Sequence, residues 1–189
     1  MCKLNDFSKV EEKIELPNSI NDPISEKDAV EYVLERFESV KENGKIKDLV
    51  SFHAMNKYMI MAHSQEELKI LGNLVASNKK IDYHEILDEY EKHLKNSFES
   101  KPTIKKHSNV IMHIFGYFSN SFSQQEKEKF FKMLADFKDE KMTIGEFLSE
   151  INPIVYRFNN TYLSSQTYFL LYSNSDPTNL FKILSKKLC

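Results

Sequence analysis

The stretch LVSFHAMNKYMIMAH, residues 49–63, decides the fold of this chain. At about 100° per residue its apolar side chains cover most of the circumference of a helix, so it predicts a helix in the interior of a protein. One narrow polar stripe remains, over an arc of roughly 120°. Its members are His53, Asn56, Lys57, Ile60 and His63. Because a polar group that is buried without a partner costs on the order of a few kcal/mol, the stripe indicates a polar pocket between helices.

A second segment, NVIMHIFGYFSN at residues 109–120, has the same pattern. Its polar stripe covers an arc of roughly 100°. The stripe consists of Asn109, His113, Gly116, Tyr117 and Asn120. We therefore expect two central, mostly apolar helices whose stripes face each other across one cavity.

The composition favours a single helical core. The chain has 189 residues, of which 41% are hydrophobic, and only 4 are glycine and 5 proline. This is enough apolar material for one substantial core and too few turn residues for a sheet-rich fold. The sequence predicts one all-α domain of seven to nine helices.

Signals for helix ends and breaks divide the chain. Residues 1–24 are charged and contain Pro17 and Pro23, so we expect an extended arm or linker there, followed by one domain over residues 25–189. Pro153 predicts a break between a helix that ends near residue 152 and another that runs from about 154 to 172. Asp176 followed by Pro177 predicts a further helix start. Side chains that can cap a helix N-terminus are Ser25, Ser64, Asp82, Ser123 and Thr143.

The charge and the cysteines limit the classes of function. A net charge of −2 argues against a protein that coats nucleic acid without specificity. The two cysteines, Cys2 and Cys189, form no disulfide framework, and no apolar run is long enough for a membrane span or a secretory signal. We expect a cytoplasmic protein without a membrane partner.

Known catalytic motifs are absent from the sequence. It contains no histidine or cysteine spacing that is typical of zinc, no glycine-rich phosphate loop and no nucleophile elbow. We therefore expect no metal and no cofactor.

The segment YRFNNTYLSSQTYFLLY, residues 156–172, combines Arg157, Tyr162 and Gln166, residue types that bind phosphate, stack on bases and read base edges.

Three blocks of the sequence resemble the YbgA-like family of bacterial and archaeal domains. The first block contains LVSFHAMNK at 49–57, MAHS at 61–64 and LGNLVA at 71–76. The second is NVIMHIFGYF at 109–118, and the third is YLxxQxY at 162–168. The resemblance covers roughly residues 25–185. The positions that match the family blocks are His53, Lys57, His63, Asn109, His113, Tyr117, Tyr162 and Gln166.

The resemblance implies a helical domain of unknown function that occurs alone or fused behind a domain similar to iron–sulfur desulfidases of thiolated nucleobases, including thiouridine in tRNA. It therefore implies an accessory role beside such an enzyme. This chain has no cysteine cluster that could hold an iron–sulfur centre, so the desulfidase chemistry is not its own.

Our first hypothesis is a helical binding module for tRNA or a nucleotide that works beside a separate, desulfidase-type partner protein. Whether the chain is itself an enzyme stays open. One alternative is a hydrolase or nuclease that uses His53 and His113 as an acid–base pair. Another is a protein-interaction scaffold in which the two polar stripes are buried and bind no ligand. The candidate ligand-binding residues are His53, Asn56, Lys57, His63, Asn109, His113, Tyr117, Arg157, Tyr162 and Gln166.

Overall fold

The computed structural model describes residues 24–77, 82–158 and 161–173, and within them it contains nine α-helices and no strand. The protein is an all-α domain, as the sequence predicts. The helices are α1 (Glu26–Asn43), α2 (Ile46–His63), α3 (Gln65–Ala76), α4 (Tyr83–Glu99), α5 (Ile104–Phe118), α6 (Gln124–Lys138), α7 (Ile144–Arg157), α8 (Thr161–Ser164) and α9 (Thr167–Tyr172).

Helix α2 is the centre of the domain, because α1, α3, α4, α5 and α9 all pack against it. Every residue from Tyr58 to His63 is buried, which explains why this half of the helix is apolar on nearly all sides. The first half is more open: Val50 is 43% and Met55 40% exposed. The prediction from residues 49–63 is therefore confirmed for a central helix with one open end.

Helix α5 needs a correction, because only one of its sides is buried. Val110, Ile111 and Ile114 face the core, whereas His113 is exposed and Tyr117 is 48% exposed. The polar stripe of α5 faces outward, so the helix is amphipathic and peripheral on that side. Met112 contributed to the apolar pattern that predicted burial on all sides of α5, but its side chain is 40% exposed.

The capping signals are confirmed. The side chains of Ser25, Ser64, Asp82 and Ser123 each accept a hydrogen bond from a backbone N–H in the first turn of the helix that follows. Thr143 does the same for α7 through the N–H of Glu146. Gly44, at φ +63°, ends α1 in the left-handed conformation that glycine adopts without strain.

The predicted break at Pro153 is wrong, because Pro153 lies inside α7. A proline in a helix removes one backbone hydrogen bond and costs about 3 kcal/mol. Phe147, Leu148, Ile151 and Val155 are buried on one face on both sides of it, and the burial of each such side chain contributes roughly 1.5–3 kcal/mol. A single helix keeps this face continuous, so packing outweighs the proline.

The helix predicted from about 154 to 172 is also wrong, since three shorter helices, the end of α7, α8 and α9, occupy this stretch. Gln166 separates the last two with an extended backbone (φ −69°, ψ 125°), and its side chain is bonded to α2. The arm predicted at residues 1–24, apart from Ile24, and the helix start predicted at Asp176 and Pro177 lie outside the described residues. None of the described helices has the length and apolar character needed to cross a membrane.

Candidate functional site

Three tyrosines from three helices meet at the surface beside α2, and we call them the tyrosine cluster: Tyr58, Tyr117 and Tyr162. The rings of Tyr117 and Tyr162 are stacked, with centroids 5.7 Å apart and an interplanar angle of 29°. Tyr58 meets Tyr162 edge-on at 6.5 Å. Tyr58 is buried, Tyr162 half-buried and Tyr117 exposed, so the cluster leads from the core to solvent.

The phenols of Tyr58 and Tyr162 stay protonated at neutral pH. Burial, and then the neighbouring Tyr117 hydroxyl, raise the pKa of Tyr162 to about 12. The same two causes raise the pKa of Tyr58 above its ordinary value. Tyr58 and Tyr162 are therefore uncharged aromatic side chains whose hydroxyl groups can exchange hydrogen bonds.

His53 and Lys57 lie one turn apart on the half-exposed side of α2. The Nδ1 atom of His53 is 3.0 Å from the hydroxyl of Tyr90 on α4. Its Nε2 atom faces Gly72 of α3, where an added Cβ would lie 3.6 Å away. Burial, and then the charge of Lys57, lower the pKa of His53 to about 4. At neutral pH this imidazole is uncharged and can donate or accept a hydrogen bond.

Among the described residues Lys57 makes no ion pair. A half-buried ammonium group without a carboxylate is unusual, since buried lysines are normally paired. On the helical wheel of α2, Ala54 lies between Lys57 and Tyr58, at about 60° and 40° from them. The His53–Lys57 pair and the tyrosine cluster therefore flank the same strip of α2.

His63 has a structural role. Its Nδ1–H donates to the carbonyl oxygen of Ser100 at 2.9 Å, and its Nε2 lies 2.9 Å from a carboxylate oxygen of Glu26. The side chain is 1% exposed. Both ring nitrogens are thus used to join α2 to the start of α1 and to the residue after α4.

Gln166 and Asn56 also serve the fold. The Gln166 amide donates to the carbonyl oxygen of Ala54 at 2.7 Å, and its oxygen accepts from the N–H of Tyr58 at 3.4 Å. The Asn56 amide donates to the carbonyl oxygen of Phe52 at 2.9 Å. Gln166 is 1% and Asn56 3% exposed, and both side-chain amides form hydrogen bonds with the backbone of α2.

Arg157 lies with a different set of residues. Its guanidinium is 2.6 Å from a carboxylate oxygen of Glu126 and 4.5 Å above the ring of Phe158. The pair is on the exposed side of α6 and α7, and the guanidinium hydrogen bond holds the pKa of Glu126 at about 2. Arg157 is therefore occupied by a protein carboxylate.

The structure does not bring the two histidine stripes together in one cavity, which corrects that expectation. His53 faces α3 and α4, whereas His113 lies on the exposed side of α5 and makes no hydrogen bond or ion pair within the described part of the chain. Asn109 is half-buried on the same helix. Of the α5 stripe, Tyr117 reaches α2 through the tyrosine cluster, whereas His113 is exposed because the apolar side of α5 faces the core. The predicted residues that do come together are Tyr117 with Tyr162, and His53 with Lys57.

The sequence reasoning missed a buried polar network next to His63. The Nδ1 atom of His107 is 2.7 Å from the hydroxyl of Tyr168, and Tyr172 donates to Glu26 at 2.7 Å. Burial lowers the pKa of His107 to about 4, an effect that Glu26 partly opposes and His63 reinforces. Burial alone would raise the pKa of Glu26, but the hydrogen bonds from His63 and Tyr172 outweigh it and lower that pKa.

Signals for part of this network are present in the sequence. His107 lies four and seven residues before Ile111 and Ile114, so the buried side of α5 can be followed back by one turn to include it. Tyr58, the buried member of the tyrosine cluster, was also missed, although it directly follows Lys57 on α2. Glu26 gives no such signal, because an acidic residue in the first turn of a helix is ordinary.

Comparison with known proteins gives a family but no described activity. A family model described as "Protein of unknown function (DUF1722)" matches residues 57–173. The chain is 26% identical over 148 residues to "Uncharacterized protein YbgA" of Escherichia coli strain K12, which covers 75% of this chain and 85% of that protein. No solved structure matches the chain significantly. The matched region begins at Lys57 and includes Tyr117, Tyr162 and the buried network, apart from Glu26.

Proposed function

This chain belongs to the YbgA-like family of unknown function, DUF1722, and from that premise we propose that it is a helical accessory module that binds a nucleotide or an unpaired segment of tRNA. The observation that carries the proposal is the stacked pair of Tyr117 and Tyr162, which reaches solvent at Tyr117. Lys57, which makes no ion pair among the described residues, lies on the neighbouring side of α2. The enzyme beside which it works, of the thionucleobase desulfidase class, and a cytoplasmic location are parts of the same proposal.

The tyrosine pair suits an unpaired base. A base that stacks on an aromatic side chain gains about 1–3 kcal/mol, and this gain depends little on the identity of the base. Tyr117 is exposed, and it rests on Tyr162, whose neighbour Tyr58 is buried. The aromatic surface is therefore held in place before a ligand arrives, which reduces the entropy lost on binding.

Lys57 suits the phosphate that accompanies the base. On the helical wheel Lys57 and the tyrosine cluster flank the same strip of α2, and among the described residues Lys57 makes no ion pair. His53 adds a neutral ring whose Nε2 has no hydrogen-bond partner in the described structure and can meet a base edge or a ribose hydroxyl. His63, Asn56, Gln166 and Arg157 are not part of this proposed surface, since each is bonded within the protein.

The structure favours binding over the hydrolase alternative. General acid–base catalysis by two histidines requires both imidazoles to reach one substrate group. His53 lies against α3 and α4, whereas His113 is exposed on α5, and no contact joins the two side chains among the described residues.

Titration of labelled bulk tRNA by fluorescence anisotropy at several salt concentrations tests the role of Lys57. We expect Lys57→Ala to weaken binding and to lower the slope of log K against log salt by about one, because one phosphate contact is lost. The matched control is Lys129→Ala on α6, whose exposed ammonium is paired with Glu150 at 2.9 Å. Absence of salt-sensitive binding at low salt, or an equal loss in both variants, would contradict the proposal.

A further inference from the structure

The imidazole of His53 lies between two residues that the proposed function does not use, Tyr90 of α4 and Gly72 of α3. Its Nδ1 atom is 3.0 Å from the Tyr90 hydroxyl, and the two rings meet edge-on with centroids 6.0 Å apart. Its Nε2 atom is 3.6 Å from the position that a Cβ on Gly72 would take. The ring therefore has one nitrogen that is bonded and one that has no partner among the described residues.

The burial of Tyr90 decides which nitrogen of His53 carries the proton. Tyr90 is fully buried, and within the described chain its hydroxyl forms no hydrogen bond other than the one with His53. A buried hydroxyl proton without an acceptor costs free energy, so the O–H of Tyr90 donates to Nδ1. The imidazole is neutral at neutral pH, because burial and then the charge of Lys57 lower its pKa to about 4. A neutral imidazole has a single N–H, which is then at Nε2.

Gly72 leaves the Nε2 side of this ring uncovered. A glycine inside a helix costs stability relative to alanine, and Gly72 lies inside α3. Packing does not require the glycine, because among the described residues of other helices an added Cβ would meet only the His53 ring within 4 Å, at ordinary van der Waals distance. A methyl group would, however, occupy space next to Nε2. Gly72 and His53 are both half-buried, so the glycine keeps this nitrogen available to a ligand.

We propose that the Nε2–H of His53 and the ammonium group of Lys57 together bind a phosphate group in the gap beside Gly72. Tyr90 acts as a positioning residue, because it fixes Nε2 as the donor. Lys57 lies one turn after His53 on α2 and makes no ion pair among the described residues. A fixed N–H next to a cation selects a negatively charged acceptor and excludes a group that can only donate. The inference rests on the proposed function for the source of the phosphate, a nucleotide or tRNA.

Long-range proton–nitrogen correlation spectra of the full chain with isotope-labelled histidine test the position of the proton. The His53 signals are those that disappear in His53→Asn. At neutral pH and without a ligand, we expect the Nε2–H form in the wild type. Tyr90→Phe keeps the ring and removes the donor, so the Nδ1–H form should become populated in it. The control Tyr32→Phe on α1 should leave the His53 signals unchanged, and the Nδ1–H form in the wild type would overturn the proposal.

The same His53 signals report phosphate binding. At constant ionic strength, inorganic phosphate and adenosine monophosphate should shift them in a saturable way. Gly72→Ala should weaken both affinities about fivefold, which is the loss of one hydrogen bond. The matched control is Gly116→Ala in α5, where an added Cβ would meet no described atom of another helix within 4 Å. Equal affinities in these two variants, or no phosphate-dependent shift in the wild type, would contradict the phosphate site.

Bulk tRNA, as a third probe, separates this inference from the proposed function. If tRNA does not bind while inorganic phosphate and adenosine monophosphate shift the His53 signals, the phosphate site stands and the proposed function fails. If tRNA binding is weakened in Tyr117→Ala but is the same in Gly72→Ala as in the wild type, the phosphate site fails and the proposed function stands. Tighter binding of adenosine monophosphate than of inorganic phosphate supports a nucleotide as the source, and the reverse order would overturn that assignment.

Discussion

Replacing Gln166 by leucine is expected to lower the free energy of unfolding by about 2 kcal/mol, because a buried amide that bonds two backbone groups of α2 is lost. Leucine has nearly the same size, so the change removes the hydrogen bonds to the Ala54 carbonyl and the Tyr58 N–H with little change in volume. Urea unfolding followed by circular dichroism measures the effect.

The control for this variant is Gln124→Leu at the exposed start of α6, whose amide bonds only to Glu128. Surface substitutions of this kind usually change the stability by less than about 0.5 kcal/mol. A similarly small change in Gln166→Leu would show that the amide does not hold α2 and α9 together.

The second large effect is a loss of stability on acidification, which we expect from His107. Its folded pKa is about 4, below the ordinary 6.5, so between these values the unfolded chain binds a proton that the folded chain does not. Stability from this group is therefore complete above about pH 6.5 and is lost as the pH falls toward 4. A shift of this size corresponds to about 3 kcal/mol.

The groups that face His107 reinforce this direction. Glu26, whose folded pKa is lowered, loses its stabilising charge as the pH falls below its ordinary value of 4.5. Tyr168 and Tyr172 stay protonated, because burial raises the pKa of both. Unfolding free energies measured at intervals from pH 7 to pH 4 should fall steeply in the wild type and less steeply in His107→Asn. An equal flattening in His84→Asn, which removes an exposed histidine, would contradict the assignment to His107.

The parts of the fold that could be predicted from the sequence are those set by local chemistry. Ser123 and Glu126 cap α6 because a hydroxyl and a carboxylate three residues apart reach the free backbone groups of the first turn. The apolar pattern of residues 58–63 extends around nearly the whole helix, so it predicts burial whichever helices pack against α2. The family resemblance, read from three sequence blocks, is confirmed by the match to residues 57–173.

The parts that could not be predicted depend on which side of each helix meets its neighbour. On α5, Ile114 is buried and its neighbour His113 is exposed, but the sequence of α5 does not show which helices pack against its buried side. The contact between His107 and Tyr168 joins positions 61 residues apart, and that between His53 and Tyr90 joins positions 37 apart. Pro153 shows the same limit, since a local rule predicted a break that the packing of α7 overrides.

Binding of labelled tRNA to variants of the tyrosine pair tests the central claim most directly, which is that Tyr117 and Tyr162 form the ligand surface. Circular dichroism first establishes that each variant is folded. If a base stacks on this pair, Tyr117→Ala and Tyr162→Ala should each weaken binding about tenfold, which corresponds to about 1.4 kcal/mol. The control Tyr32→Ala, a half-exposed tyrosine on α1, should stay within about twofold of the wild type. Unchanged affinity in both variants of the pair, or an equal loss in the control, would contradict the account.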